Sequence, residues 1–127
     1  MLADNIEIMH LEVGGLRFSL LSEDITKHPE CLFATLAKRE WRQNQEESIK
    51  IDRDGRLFRY VYIFMITGYI PKEILSSSEL EGLSEEANYF KLPDLAHVCD
   101  VFRDYGNFTD HIKGIVKVII LTMTMLL

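Results

Sequence analysis

Ten consecutive residues, LFRYVYIFMI (57–66), are apolar almost all round at helical spacing. A helix of that kind has to be surrounded by other elements. The segment from about Gly55 to Thr67 therefore predicts a central buried helix. It is too short for a bilayer, which takes about 20 apolar residues. Gly68 and Pro71 close it, since glycine takes the left-handed backbone that ends helices and proline cannot continue one.

The string IDRDG (51–55) stands at the start of this helix. Asp54 predicts its N-cap, with Asp52 adding negative charge near the positive end of the helix dipole. Two carboxylates flanking an arginine are also raw material for a metal or acid–base site. In a calcium-binding EF-hand loop the glycine comes sixth, whereas Gly55 is fourth from Asp52, and Leu57 and Phe58 occupy the next places. Spacing excludes that site. Acid–base catalysis needs a partner group and a pocket, and no recognised catalytic string accompanies the pair. No catalytic, cofactor-binding or metal-binding residue is assigned, and an enzyme is not expected.

The rest of the chain supplies what surrounds the helix. Residues 6–13 (IEIMHLEV) alternate before Gly14–Gly15, and 16–21 (LRFSLL) resume with strand formers, predicting a short hairpin. A phosphate-cradling loop at Gly14–Gly15 would need more glycines and a following helix. Ser22–Glu23–Asp24 predicts a short helix with Ser22 as cap, stopped by Pro29. A second helix begins there, with Cys31, Leu32, Phe33 and Leu36 as its apolar residues. WRQNQEES (41–48) is a solvated loop, and Ile49 and Ile51 mark a third strand. Ser78 and Glu81 fit a capping box ahead of Leu80, Leu83, Ala87 and Phe90. Leu92–Pro93–Asp94 breaks that helix, and Leu95, Val98, Cys99 and Phe102 carry a last one to about Tyr105–Gly106. The order is strand, strand, helix, helix, strand and three helices, a mixed α/β (α+β) pattern in one domain of 1–105. Residues 106–127 form an apolar C-terminal tail.

Charge and cysteines bound the partners. A net charge of −6 without a Lys/Arg run argues against nucleic acid, whose affinity comes from neutralising phosphates. The first 20 residues lack the basic start and apolar run of a signal peptide, so a cytoplasmic setting is expected, with Cys31 and Cys99 as buried free thiols. His97 and Cys99, the only close pair of soft ligands, sit two apart and face different sides of a helix. The tail IKGIVKVIILTMTMLL (112–127) has only Lys113 and Lys117 as charges. Its last ten residues cover about 15 Å as helix, half a hydrocarbon core, so packing on the domain or a partner chain is expected rather than a membrane span.

Four strings in order, LEVGGLRFSL, EDITKHPECLF, IDRDGRLFRYVYIFMITG and LSEEANYFKL, resemble the BTB/POZ domain of potassium-channel tetramerisation type, and IDRDG with LFRYV is closer to its KCTD branch. The resemblance covers about residues 6–102. It implies a BTB/POZ fold, a small three-stranded sheet with a helical cluster, that self-associates as a ring of about four subunits in the channels and about five in many KCTD proteins. It further implies a homo-oligomerising protein-interaction domain, either an adaptor for a cullin-RING ubiquitin ligase or a bare oligomerisation unit that mixes with related BTB chains. The alternative is the cytosolic assembly domain of a voltage-gated potassium channel subunit. Carried over residue by residue, the oligomer interface falls on Arg17, Phe18, Asp52, Arg53, Asp54 and Arg59, with Arg53 forking onto a neighbour's carboxylate. Phe33 and Trp41 are candidate partner contacts. Ile63 and Ile66 depart from the family's usual Asn and Arg.

Overall fold

The computed structural model describes residues 7–38 and 48–126. Strand β1 (Ile8–Val13) turns through Gly14–Gly15 into β2 (Leu16–Leu21). Helices α1 (Ser22–Thr26) and α2 (Leu32–Lys38) precede β3 (Ile49–Ile51). There follow α3 (Gly55–Thr67), a 3-10 turn (Lys72–Ile74), α4 (Ser77–Tyr89) and α5 (Pro93–Leu126). The sheet runs β2-β1-β3, with β1 antiparallel to β2 and parallel to β3. The mixed α/β order matches the pattern expected from the sequence. Trp41 and most of the loop expected at 41–48 lie outside the described residues.

Alternation along β1 sorts its side chains cleanly. Met9, Leu11 and Val13 are wholly buried, while Glu12 faces outward between Arg17 on β2 and Lys50 on β3. Against the buried face packs a cluster of phenyl rings. Phe58 of α3 lies 4.8 Å from Phe18, 5.1 Å from Phe90 and 5.8 Å from Phe33, and Phe33 stacks on Phe90 at 5.3 Å. Four elements thus meet at one ring, with edge-to-face geometry that adds to simple burial. Phe33 is fully buried here and does not serve as a partner contact. The helix α2 begins at Leu32 rather than at Pro29, and that shift turns Phe33 inward beside Cys31 and Ala34.

The boundaries of α3 match those read from the sequence. Asp54 Oδ1 accepts from the N–H of Arg56 at 2.8 Å and of Leu57 at 3.2 Å, and Gly68 closes the helix with φ +80°. Its last carbonyls find partners just after α1: His28 Nε2–H donates to the Met65 carbonyl and Lys27 Nζ to that of Ile66. The burial is one-sided, however. Phe58, Val61, Phe64 and Met65 are buried, whereas Arg59 and Ile66 are exposed, because a three-stranded sheet and the adjoining helices cover only part of the helix.

Two other helix starts differ from expectation. Ser22 lies inside α1, and its hydroxyl accepts from the N–H of Glu7, tying the start of β1 to the end of β2. The capping box uses Ser76 and Glu79, two residues earlier than Ser78 and Glu81. Three serines in a row offer the same spacing twice. The earlier choice sets buried Leu75 and Leu80 at the positions of a hydrophobic staple. Hydrogen bonds from Ser76, its backbone N–H first, hold the Glu79 carboxyl below its ordinary value, and the Arg56 charge adds to them. At the other end of α4, Lys91 takes φ +58°, and the N–H groups of Lys91 and Leu92 return to Asn88 and Ala87. That is a Schellman turn with lysine in the place that glycine normally holds.

Helix α5 does not stop at Tyr105–Gly106; it runs on to Leu126. A single glycine costs a helix about 1 kcal/mol relative to alanine, and no proline follows to end it. Leu95, Ala96 and Cys99 anchor its first turns in the core, and Ser84 Oγ donates to Asp100 across α4 and α5 at 2.8 Å. Cys31 and Cys99 are free and buried, with burial raising both thiols, Cys99 to about 11.

The tightest fit is between backbones. A Cβ on Gly14 would lie 2.5 Å from the Arg53 carbonyl oxygen and 2.8 Å from Gly55 N, and one on Gly55 would strike the Val13 carbonyl. Gly55→Ala should therefore destabilise the chain by about 2 kcal/mol, despite alanine's better helix propensity, as read by urea unfolding. Lys91→Gly should stabilise it by roughly 0.5–1 kcal/mol in the same measurement, since glycine adopts the left-handed backbone without strain.

Candidate functional site

The junction between β3 and α3 carries the densest set of candidate residues, and its geometry follows from the capped helix. With Asp54 bonded to the first turn of α3, the chain bends at Arg53, whose side chain reaches the face of α4. Its guanidinium forks onto Glu86: Nε donates to Oε2 at 3.1 Å and Nη2 to Oε1 at 2.9 Å. The same group lies 4.2 Å above the ring of Tyr89. The hydrogen bond to Glu86 raises Arg53 further above its ordinary range, and the Glu86 charge contributes. Glu86 is almost completely buried, so this ion pair belongs to the interior of the subunit. The expected fork onto a neighbouring chain's carboxylate is thus corrected: the partner is in the same chain, 33 residues away.

The other candidates divide between two places. Arg17 stands on the outer face of the sheet beside Glu12, away from α3. Phe18 points the opposite way, half-buried against Phe58 and Tyr62, whose hydroxyl donates to the Ser19 carbonyl at 3.0 Å. Asp54 and Arg59 line one groove of about 480 Å³ with Arg56, Tyr60, Ser78 and Glu79, where the starts of α3 and α4 meet. Asp52 is exposed beside this junction. Among the described residues, the side chains of Arg17, Asp52 and Arg59 make no hydrogen bond or ion pair. The structure therefore separates charges satisfied within the subunit, Arg53 and Asp54, from charges left open to solvent.

Sequence reading missed Glu86 and Tyr89. Their signal was present, since they lie three apart in LSEEANYF and share a helical face. What it did not contain was the pairing of that face with Arg53, which depends on how α3 and α4 pack. His97 is exposed while Cys99 is buried, so the two diverge as their spacing requires. Among the described residues, no group of three or more His, Cys, Asp and Glu side chains is placed to hold a metal ion.

Removing Arg53 would leave a buried carboxylate without its partner. Arg53→Ala should cost about 2 kcal/mol in urea unfolding, less than a fully buried pair because Arg53 keeps 31% of its side chain exposed. The double change Arg53→Met with Glu86→Leu should recover most of that loss; a double variant as unstable as the single one would contradict this role.

Comparison with known proteins agrees with the geometry. Residues 9–99 match the BTB/POZ domain family. The human BTB/POZ domain-containing protein KCTD19 is 28% identical over 104 residues, covering 77% of this chain and 10% of that protein. The Arabidopsis thaliana FH protein interacting protein FIP2 is 29% identical over 89 residues, 67% of this chain and 29% of that protein. The chain thus spans less than a third of the length of either relative. With the family match over most of its length and this sheet and helix order beneath it, the chain belongs to the BTB/POZ family, in the potassium-channel-tetramerisation, KCTD-like branch.

Proposed function

We propose that this chain is a homo-oligomerising protein-interaction domain of the KCTD kind, which assembles with copies of itself and presents the assembly to a cullin. BTB domains are in general interaction and self-association modules and are not typically catalytic. The observation that carries the proposal for this chain is the split between satisfied and open charges. Arg17, Asp52 and Arg59 are exposed, of both signs, and unpaired within the described residues. Such groups select partner and register more than they add affinity. In a head-to-tail ring each subunit presents two different surfaces, so a positive Arg17 or Arg59 on one chain meets a carboxylate such as Asp52 on the next. Arg53 and Asp54 support that surface from within, by holding the junction in place.

The cullin role rests on the family resemblance, and assembly is a separate matter from it. Both are accessible in one purified sample. Native mass spectrometry should give a ring of roughly four or five chains, and on dilution Arg59→Glu or Asp52→Arg should release smaller species at higher concentrations than the wild type does, without altering the circular dichroism of the fold. A cullin should co-purify with the wild-type assembly. A stable monomer that binds no cullin would overturn the proposal, and a dilution profile unchanged in both variants would remove these residues from the interface.

A further inference from the structure

Helix α5 carries a regular apolar seam that the domain covers only in part, at its start. Starting at Val98, half-buried against the core, apolar residues recur at alternating spacings of three and four: Val101, Tyr105, Phe108, Ile112, Ile115 and Ile119. The series continues through Thr122 to Leu126, four heptads in all. The six residues from Val101 to Ile119 are each at least 42% exposed. Every residue from 110 to 126 is exposed. The repeat is seven residues, so the stripe stays straight only if the helix supercoils about another helix.

Charge placement agrees with that pattern. Between Tyr105 and Leu126 the only Asp, Glu, Lys or Arg residues are Asp110, Lys113 and Lys117, and all three fall on the side opposite the seam. Thr122, within the seam, donates its hydroxyl to the Val118 carbonyl at 2.9 Å, so it demands no partner from outside. No helix of the described residues is long and apolar enough to cross a membrane.

We propose that α5 beyond Val98 is a coiled-coil seam, and that its partner is the same helix of further copies of this chain in a parallel bundle of three or more. A second copy is the occupant that supplies an equal seam of equal length. Isoleucine at successive seam positions, Ile112, Ile115 and Ile119, favours three or four parallel strands over two. Val116, Val118, Met123 and Met125 flank the seam on both sides, and they are covered only when each helix has two neighbours. This contact is independent of the charged surface of the domain.

Disulfide trapping in the full-length chain tests it, because the native cysteines are buried and free. Ile115→Cys puts a thiol inside the bundle, and Lys117→Cys puts one on its outer side. Under mild oxidation, Ile115→Cys should cross-link chains about tenfold faster than Lys117→Cys, since only seam thiols come within disulfide distance. Equal rates, or no cross-linking at either position, would overturn the bundle. So would flotation of the chain with phosphatidylcholine vesicles accompanied by loss of the Ile115→Cys cross-link. Adding Arg59→Glu separates the two contacts: the cross-link should persist in that background even where the domain's own assembly is weakened, and its loss there would refute the independence of the seam.

Discussion

The mutual approach of two backbones, the turn at Gly14–Gly15 and the junction at Arg53–Gly55, sets the geometry of everything around it. With no Cβ on either side, the Gly14 N–H reaches the Ile51 carbonyl at 3.2 Å and the hairpin seats directly on the start of α3. That seat fixes where Asp54 caps the helix. It therefore fixes where Phe58, one turn later, meets the rings of Phe18, Phe33 and Phe90. Any side chain at the crossing would lift the sheet from the helix and open the aromatic cluster, so the local glycine choice and the core are a single constraint.

The same seating explains why the charges of IDRDG serve different ends although they are adjacent. Asp54 is held by backbone donors and Arg53 by Glu86 and Tyr89, so both are tied to groups within the subunit. Asp52 has no such tie. The chain leaves β3 at Ile51 and bends at Arg53, so one short string both closes the fold and faces outward.

Local features were legible in the sequence and non-local ones were not. Asp54, Gly68 and the apolar run between them place α3 because capping and helix termination are decided within a few residues. The capping box slipped by two positions because SSSE and SELE satisfy the same short rule; only the burial of Leu75 and Leu80 distinguishes them. The end of α5 was misjudged because Gly106 alone does not stop a helix when its flanks continue to favour one. Phe33 and Arg53 were given outward roles because both have interior partners distant in sequence, Phe58, Phe90 and Glu86, which appear only once the helices are packed.

The unbroken passage of α5 from the core to its exposed end gears the two halves of the molecule together. Leu95, Ala96 and Cys99 clamp the helix to the domain, with Asp100 bonded to Ser84, and from there no loop or proline absorbs rotation before Leu126. Each residue turns a helix by about 100°. The angular phase of the outer end is therefore dictated by the core, and adding or deleting one residue near Arg103 would swing the apolar stripe a quarter-turn or more away from its heading while Leu95, Ala96 and Cys99 keep their places in the core.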